Sequence, residues 1–149
     1  MQNVRFGIRG SGLGIRKPGI GKVDTSPEVE NPKNYKELDV WRRSLRLTIE
    51  LYKVTRGFPE DEKFGLVSQI RRAAASIPAN IAEGLGRGST KEYIKFLLIA
   101  RGSLNELETH LIISQELGYV LPATTRELAE TLADIGKMLN RLISALRLR

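Results

Sequence analysis

The sequence predicts an all-α protein, an up-and-down antiparallel four-helix bundle with long helices and a kinked second helix. Three observations carry this. Apolar residues recur at steps of three and four through four separate stretches. Gly and Pro punctuate the chain between those stretches. Ser89-Thr90-Lys91-Glu92 and Thr124-Thr125-Arg126-Glu127 both have the spacing of a capping box, the signal that opens a helix.

Residues 1–34 contain six glycines and three prolines with no sustained period, which makes helix costly there. They read as a flexible, Gly/Pro-containing basic extension, and residues 35–149 as the bundle domain. The glycines do not complete a phosphate loop. Gly21-Lys22 has Arg16 where the first glycine would stand and Val23 where Ser or Thr would follow.

The first helix is expected from Leu38 to Arg56, capped by Asp39 or Asn34. Leu38, Trp41, Leu45, Thr48 and Tyr52 form one apolar face, and Leu47, Leu51 and Val54 a second strip. Arg42, Arg43, Arg46 and Lys53 lie on the more polar side, where Glu50 can pair with Arg46 or Lys53. Gly57 and Phe58-Pro59 turn the chain.

The second helix is expected to start at Pro59-Glu60-Asp61-Glu62, where proline and acids suit a helix N-terminus. Leu66, Ile70, Ala73, Ala74, Ile77 and Ile81 form its inner face. Ala75, Ala79, Ala82 and Gly86 form a stripe of small residues. Pro78 has no N–H and crowds the carbonyl of Ala74, so a kink is expected there, with Asn80 or Ser76 satisfying the freed groups. Gly84 to Gly88 is expected to be the turn, and Arg87 and Lys91 stand beside it.

The third helix runs from the Ser89 cap to Leu117, closed by Gly118. Tyr93, Leu97, Ala100, Leu104, Leu107 and Leu111 make its inner stripe. Ile94, Phe96, Leu98, Ile99, Ile112 and Ile113 are apolar as well, so this helix is expected to bury two sides, the second against another subunit. Gly102 and Ser103 permit close backbone approach. The fourth helix is expected from Thr124, with Leu128, Leu132, Ile135, Leu139, Leu142 and Leu146 in steps of four and three.

The chemistry is bounded by what is missing. With no cysteine, disulfides and thiolate sites are excluded. The only histidine, His110, follows Glu106 by one helical turn, but Leu107 stands where a Glu-x-x-His motif needs its glutamate, so neither a metal nor a cofactor is expected. The acid–base and nucleophilic sets of ordinary enzymes cannot be assembled. No apolar run suffices to span a bilayer, and the expectation is a cytoplasmic protein with no enzymatic activity.

The net charge is +7, from 24 Lys/Arg against 17 Asp/Glu. Residues 1–34 hold six basic and three acidic residues, hence +3, which leaves +4 for the bundle. Such a field attracts polyanions, of which nucleic acid is the commonest. Candidate phosphate contacts are Arg42, Arg43, Arg46 and Lys53 on the first helix, with Arg71, Arg72, Arg87, Lys91 and Lys95 around the second and third. Trp41 and Tyr52 read as core, which leaves few rings for stacking on bases.

LDVWRRSLRL, FPEDEKFGLVSQIRRAAASIPANIAEGLGRGSTKEYIKFL and IARGSLNELETHL resemble the four-helix-bundle proteins encoded in intervening sequences of bacterial 23S ribosomal RNA genes. The resemblance covers about Tyr35 to Leu146, and Asn80-Ile81-Ala82-Glu83-Gly84 is its most specific segment. Relatives of that family include the accessory variability protein of diversity-generating retroelements, a homopentamer that binds nucleic acid and associates with a reverse transcriptase. The resemblance therefore implies a bundle, a homo-oligomer such as a pentamer, RNA or DNA as a partner, and a reverse transcriptase or another protein as a further one. Gln69, Arg71, Arg72, Asn80, Glu83, Arg87, Arg101 and Glu106 stand at family-like positions. Glu83 and Arg101 fit intersubunit ion pairs, and Gln69, Pro78, Asn80, Gly84, Gly102 and Glu106 fit structural or assembly roles. The alternative is a protein-interaction scaffold that does not touch nucleic acid.

Overall fold

In a computed structural model of the protein, residues 32–149 are described. The extension expected over residues 1–34 lies, as far as residue 31, outside the described residues. Four α-helices follow: α1 (Asp39–Thr55), α2 (Leu66–Gly86), α3 (Thr90–Glu116) and α4 (Pro122–Arg147). Each packs against two neighbours, α1 on α2 and α4, and α3 on α2 and α4, with α2 and α3 sharing the most extensive contact. This closed ring of neighbours joined by short links is a four-helix bundle. Leu47, Leu51, Ile70, Ile77, Ile81, Leu97, Leu107, Leu111, Leu128, Ile135, Leu139 and Ile143 fill its core and are almost wholly buried.

The inner stripes expected for α3 and α4 are those observed, with Ile143 more buried than Leu142. In α1 the second expected strip, with Leu47 and Leu51, faces the core rather than the first, of which Leu38 and Trp41 pack only partly against it. The buried residues of α1 are Val40, Ser44, Leu47, Leu51 and Thr55, while Leu45 and Tyr52 are exposed. The polar members mislead a hydropathy reading because their hydroxyls are satisfied at home. Ser44 donates to the carbonyl of Trp41 at 2.8 Å and Thr55 to that of Leu51 at 2.7 Å. Buried hydroxyls bonded in this way escape the desolvation penalty.

Three helix ends also differ from expectation. Asn34 caps a 3-10 turn, Tyr35–Glu37, accepting from the amide of Lys36, and α1 itself opens at Leu38 without a side-chain cap. The acids after Pro59 form a second 3-10 turn, Glu60–Glu62, and α2 begins only at Leu66. There the Glu62 carboxylate accepts from the Leu66 amide at 2.9 Å. Helix α4 starts at Pro122, whose fixed φ suits the first helical position, so Thr124 is already inside it and caps nothing. At α3, Ser89 does cap, accepting from the Glu92 amide at 3.4 Å.

The turn between α2 and α3 is shorter than expected, because Gly84 and Gly86 are helical. Gly88 makes the reversal with φ +71, in the left-handed region that disfavours a Cβ. Gly84 serves a different purpose. A Cβ there would meet Phe96 Cβ at 2.7 Å and Tyr93 Cδ2 at 3.0 Å, so the glycine is what lets α2 and α3 approach. Helix α2 runs through Pro78 without interruption. The carbonyl that Pro78 leaves free, that of Ala74, accepts from Thr48 of α1 at 3.1 Å. Asn80 and Ser76 bond other carbonyls, those of Ser76 and Ala73.

Candidate nucleic-acid interface

The nine basic residues expected to meet phosphate do not behave alike. Arg42 and Arg43 are tied within the chain. Arg42 donates to the carbonyl of Lys36 at 2.8 Å and lies 3.5 Å from Asp39, and Arg43 reaches Asp134 of α4 at 3.3 Å. The expected pairing of Glu50 with Arg46 or Lys53 does not form among the described residues. Arg87 pairs with Glu83 at 2.6 Å and lies over the Phe96 ring, 5.0 Å from its centroid. Arg46, Lys53, Lys91 and Lys95 are exposed and have no ion-pair partner among the described residues.

Arg71 is a structural brace. Its Nε donates to Thr55 Oγ1 at 2.9 Å, its Nη2 donates to the carbonyl of Tyr52 at 3.2 Å, and its guanidinium lies 4.5 Å from the centroid of the Tyr52 ring. It thereby fastens the last turn of α1, where free carbonyls attract cations, to α2. Arg72 donates to Gln69 Oε1 at 2.6 Å and lies 3.8 Å from Glu106, which His110 approaches at 3.6 Å. These four residues make one polar chain across the α2–α3 seam.

The residues given assembly roles divide similarly. Pro78 and Gly84 are buried in the bundle, and Asn80 bonds back along its own helix. Glu83 is engaged by Arg87, and Arg101 donates to Asn140 Oδ1 at 3.1 Å. A Cβ at Gly102 would meet open space. The outer flank of α3 is bare, with Ile99, Ile112, Ile113 and Leu117 exposed, Ile112 to 52%.

At the end where α1 passes into α2, the fold gathers cations that are scattered along the sequence. One groove of about 450 Å³ is lined by Tyr52, Lys63, Phe64, Arg71 and Arg72, among others. A second, of about 380 Å³, is lined by Thr48, Ile49, Tyr52, Lys53 and Arg56. Arg56, Lys63 and Phe64 were missed as candidates, because they sit in the helix end and link, where periodicity assigns no face. Tyr52, expected in the core, is exposed like Leu45, although Leu38 and Trp41 of the same stripe pack partly against the core.

Two phenols are perturbed. Burial pushes the Tyr93 hydroxyl up to about 12, and that hydroxyl has no hydrogen-bond partner among the described residues. Burial and then the Glu62 carboxylate, to which its hydroxyl donates at 3.4 Å, raise Tyr119. Among the described residues no group of three or more His, Cys, Asp or Glu could hold a metal ion. No helix there is long and apolar enough to cross a membrane.

A family model described as 23S rRNA-intervening sequence protein matches residues 36–141. The chain is also similar to a crystal structure from Bacteroides thetaiotaomicron, a protein of unknown function from the S23 ribosomal protein family. The two are 26% identical with a TM-score of 0.65, over 70% of this chain and 95% of that one. No curated protein matches.

Proposed function

The chain belongs to the 23S rRNA-intervening sequence protein family, and we propose that it is a non-enzymatic, oligomeric accessory protein that binds RNA or DNA through its basic surface in the cytoplasm. The observation that carries this reading is the set of exposed cations without anionic partners among the described residues, Arg46, Lys53, Lys91 and Lys95, on a bundle of net positive charge. Cations left free of carboxylates are available to phosphate, and each phosphate neutralised releases a counterion. Contacts of this kind hold a backbone without reading its bases. The names of the family and of its structural neighbour's family, 23S rRNA-intervening sequence protein and S23 ribosomal protein, accord with such a partner.

Assembly is supported by the bare flank of α3. Ile99, Ile112, Ile113 and Leu117 remain exposed on a helix whose other side is fully used. A second copy, in a ring such as a pentamer, would cover them, and five bundles at +4 would pool about +20. The same flank favours the second reading, a scaffold that docks a protein such as a reverse transcriptase.

A salt titration tests the first reading. Affinity for RNA should fall steeply as ionic strength rises, and absent or salt-insensitive binding at low salt refutes it. Mass measurement in solution tests assembly, which a stable monomer at micromolar concentration refutes.

A further inference from the structure

The end of the bundle where α1 meets α2 exposes two aromatic rings among cations. Phe64 is 88% exposed and Tyr52 43%. Both line the larger groove with Lys63, Arg71 and Arg72, and Tyr52 continues into the next with Lys53 and Arg56. Among the described residues no acidic side chain lines either groove. A single exposed apolar residue needs no explanation. Two exposed rings on one surface with five cations are a different matter, because this is the composition of a site that stacks bases while cations track the backbone.

The geometry is partly preorganised. Arg71 stacks 4.5 Å from the centroid of Tyr52 while its other bonds hold it to Thr55 and to the Tyr52 carbonyl, so the ring has a fixed support. The Lys63 ammonium lies 5.6 Å from the centroid of Phe64. Lys53 and Arg56 carry no ion pair among the described residues and can turn toward phosphate. The larger groove, at about 450 Å³, is within the size range of small-ligand pockets, roughly 300–1,000 Å³.

We propose that this groove seats unpaired bases of a single-stranded nucleic acid, stacked on Phe64 and Tyr52, with Lys53, Arg56 and Lys63 at the flanking phosphates. The proposal rests on the nucleic-acid reading above and narrows it to single strands. A duplex keeps the faces of its bases stacked on one another and offers these rings only its phosphates. A second copy related by a two-fold axis is a poor occupant, because that contact would set these cations against their own counterparts, and a head-to-tail contact between copies is an outcome of the test below.

The test uses the full chain with two probes at low salt, a short single-stranded oligouridylate and an RNA duplex of equal length. Phe64→Ala and Tyr52→Leu should each weaken single-strand binding about tenfold while duplex binding and salt slope stay unchanged; Phe64→Ala should also leave thermal stability unchanged, whereas Tyr52→Leu gives up the ring under Arg71 and should lower it slightly. Tyr52→Leu leaves the backbone carbonyl that Arg71 uses in place. If both variants bind the single strand as tightly as the parent protein, with salt dependence intact, base stacking is overturned and the broader reading survives. If neither probe binds the parent protein, both readings fall. If Phe64→Ala instead lowers the mass in solution, the ring belongs to a contact between copies and the proposal is wrong.

Discussion

The hydroxyl of Thr48 on α1 lies 3.1 Å from the carbonyl oxygen of Ala74 on α2, the oxygen that Pro78 leaves without its helical donor. Thr48 also lies 2.8 Å from the carbonyl of its own Ser44, so one proton serves two acceptors. A proline inside a helix leaves its i−4 carbonyl unpaired. Here the repair comes from a neighbouring helix, which makes the defect in α2 a point of attachment for α1.

Thr48→Val should therefore destabilise the fold by about 1 kcal/mol, the usual net value of a hydrogen bond. The loss should shrink in a Pro78→Ala background, where residue 78 regains an N–H for the Ala74 carbonyl. A double-mutant cycle by urea unfolding measures the coupling, expected at about 0.5–1 kcal/mol, and a coupling of zero rejects the assignment.

Gly84→Ala should cost stability even though alanine is the better helix former. The new Cβ would stand 2.7 Å from Phe96 Cβ and 3.0 Å from Tyr93 Cδ2. Overpacking of this sort costs about 1–3 kcal/mol, against about 1 kcal/mol gained in propensity. Gly86→Ala, where a Cβ meets nothing within 4 Å, should gain stability instead. Thermal melts of the two variants should move in opposite directions.

Tyr93→Phe should stabilise the protein by about 1 kcal/mol, because it removes a buried hydroxyl that has no partner among the described residues. It should also remove a pH dependence. Burial holds the folded-state phenol protonated up to about pH 12, whereas in the unfolded chain it ionises near its ordinary value of 10.0. Its contribution is thus fully present below about pH 10 and is lost as pH rises toward 12, by about 2 kcal/mol. Chemical denaturation across that window should show a shallower decline in the Phe variant.

Arg71→Gln and Lys95→Gln should separate two kinds of cation. Arg71 braces the end of α1 through Thr55 and Tyr52, so its loss should cost about 1–3 kcal/mol of stability. Lys95 is exposed and unpaired among the described residues, so its loss should leave stability within about 0.5 kcal/mol. RNA affinity and its salt slope should fall with Lys95→Gln under the proposed function.

Periodicity served well where a helix has one apolar stripe in one register. For the inner side of α3 it names residues that are buried, and for α4 all but Leu142, which is half-buried while Ile143 is buried in its place. It failed on α1, where two apolar strips compete and the one that carries Ser44 and Thr55 faces the core. Hydropathy counts a serine against burial, yet in a helix its hydroxyl can bond a carbonyl of the preceding turn and be buried at little cost. The candidate interface is legible in the sequence only as a list of basic residues. Which of them are spent on the fold, as Arg71 is, depends on partners far away in the chain.

From its own residues the chain determines four helices, their order and most of their buried stripes, because spacing and turn chemistry are local properties. Tertiary structure alone decides which strip of α1 faces inward, how Ala74 recovers a donor, and which cations stay free beside Phe64 and Tyr52. Those outcomes turn on distances between groups many residues apart, and packing sets such distances only once every helix is in place.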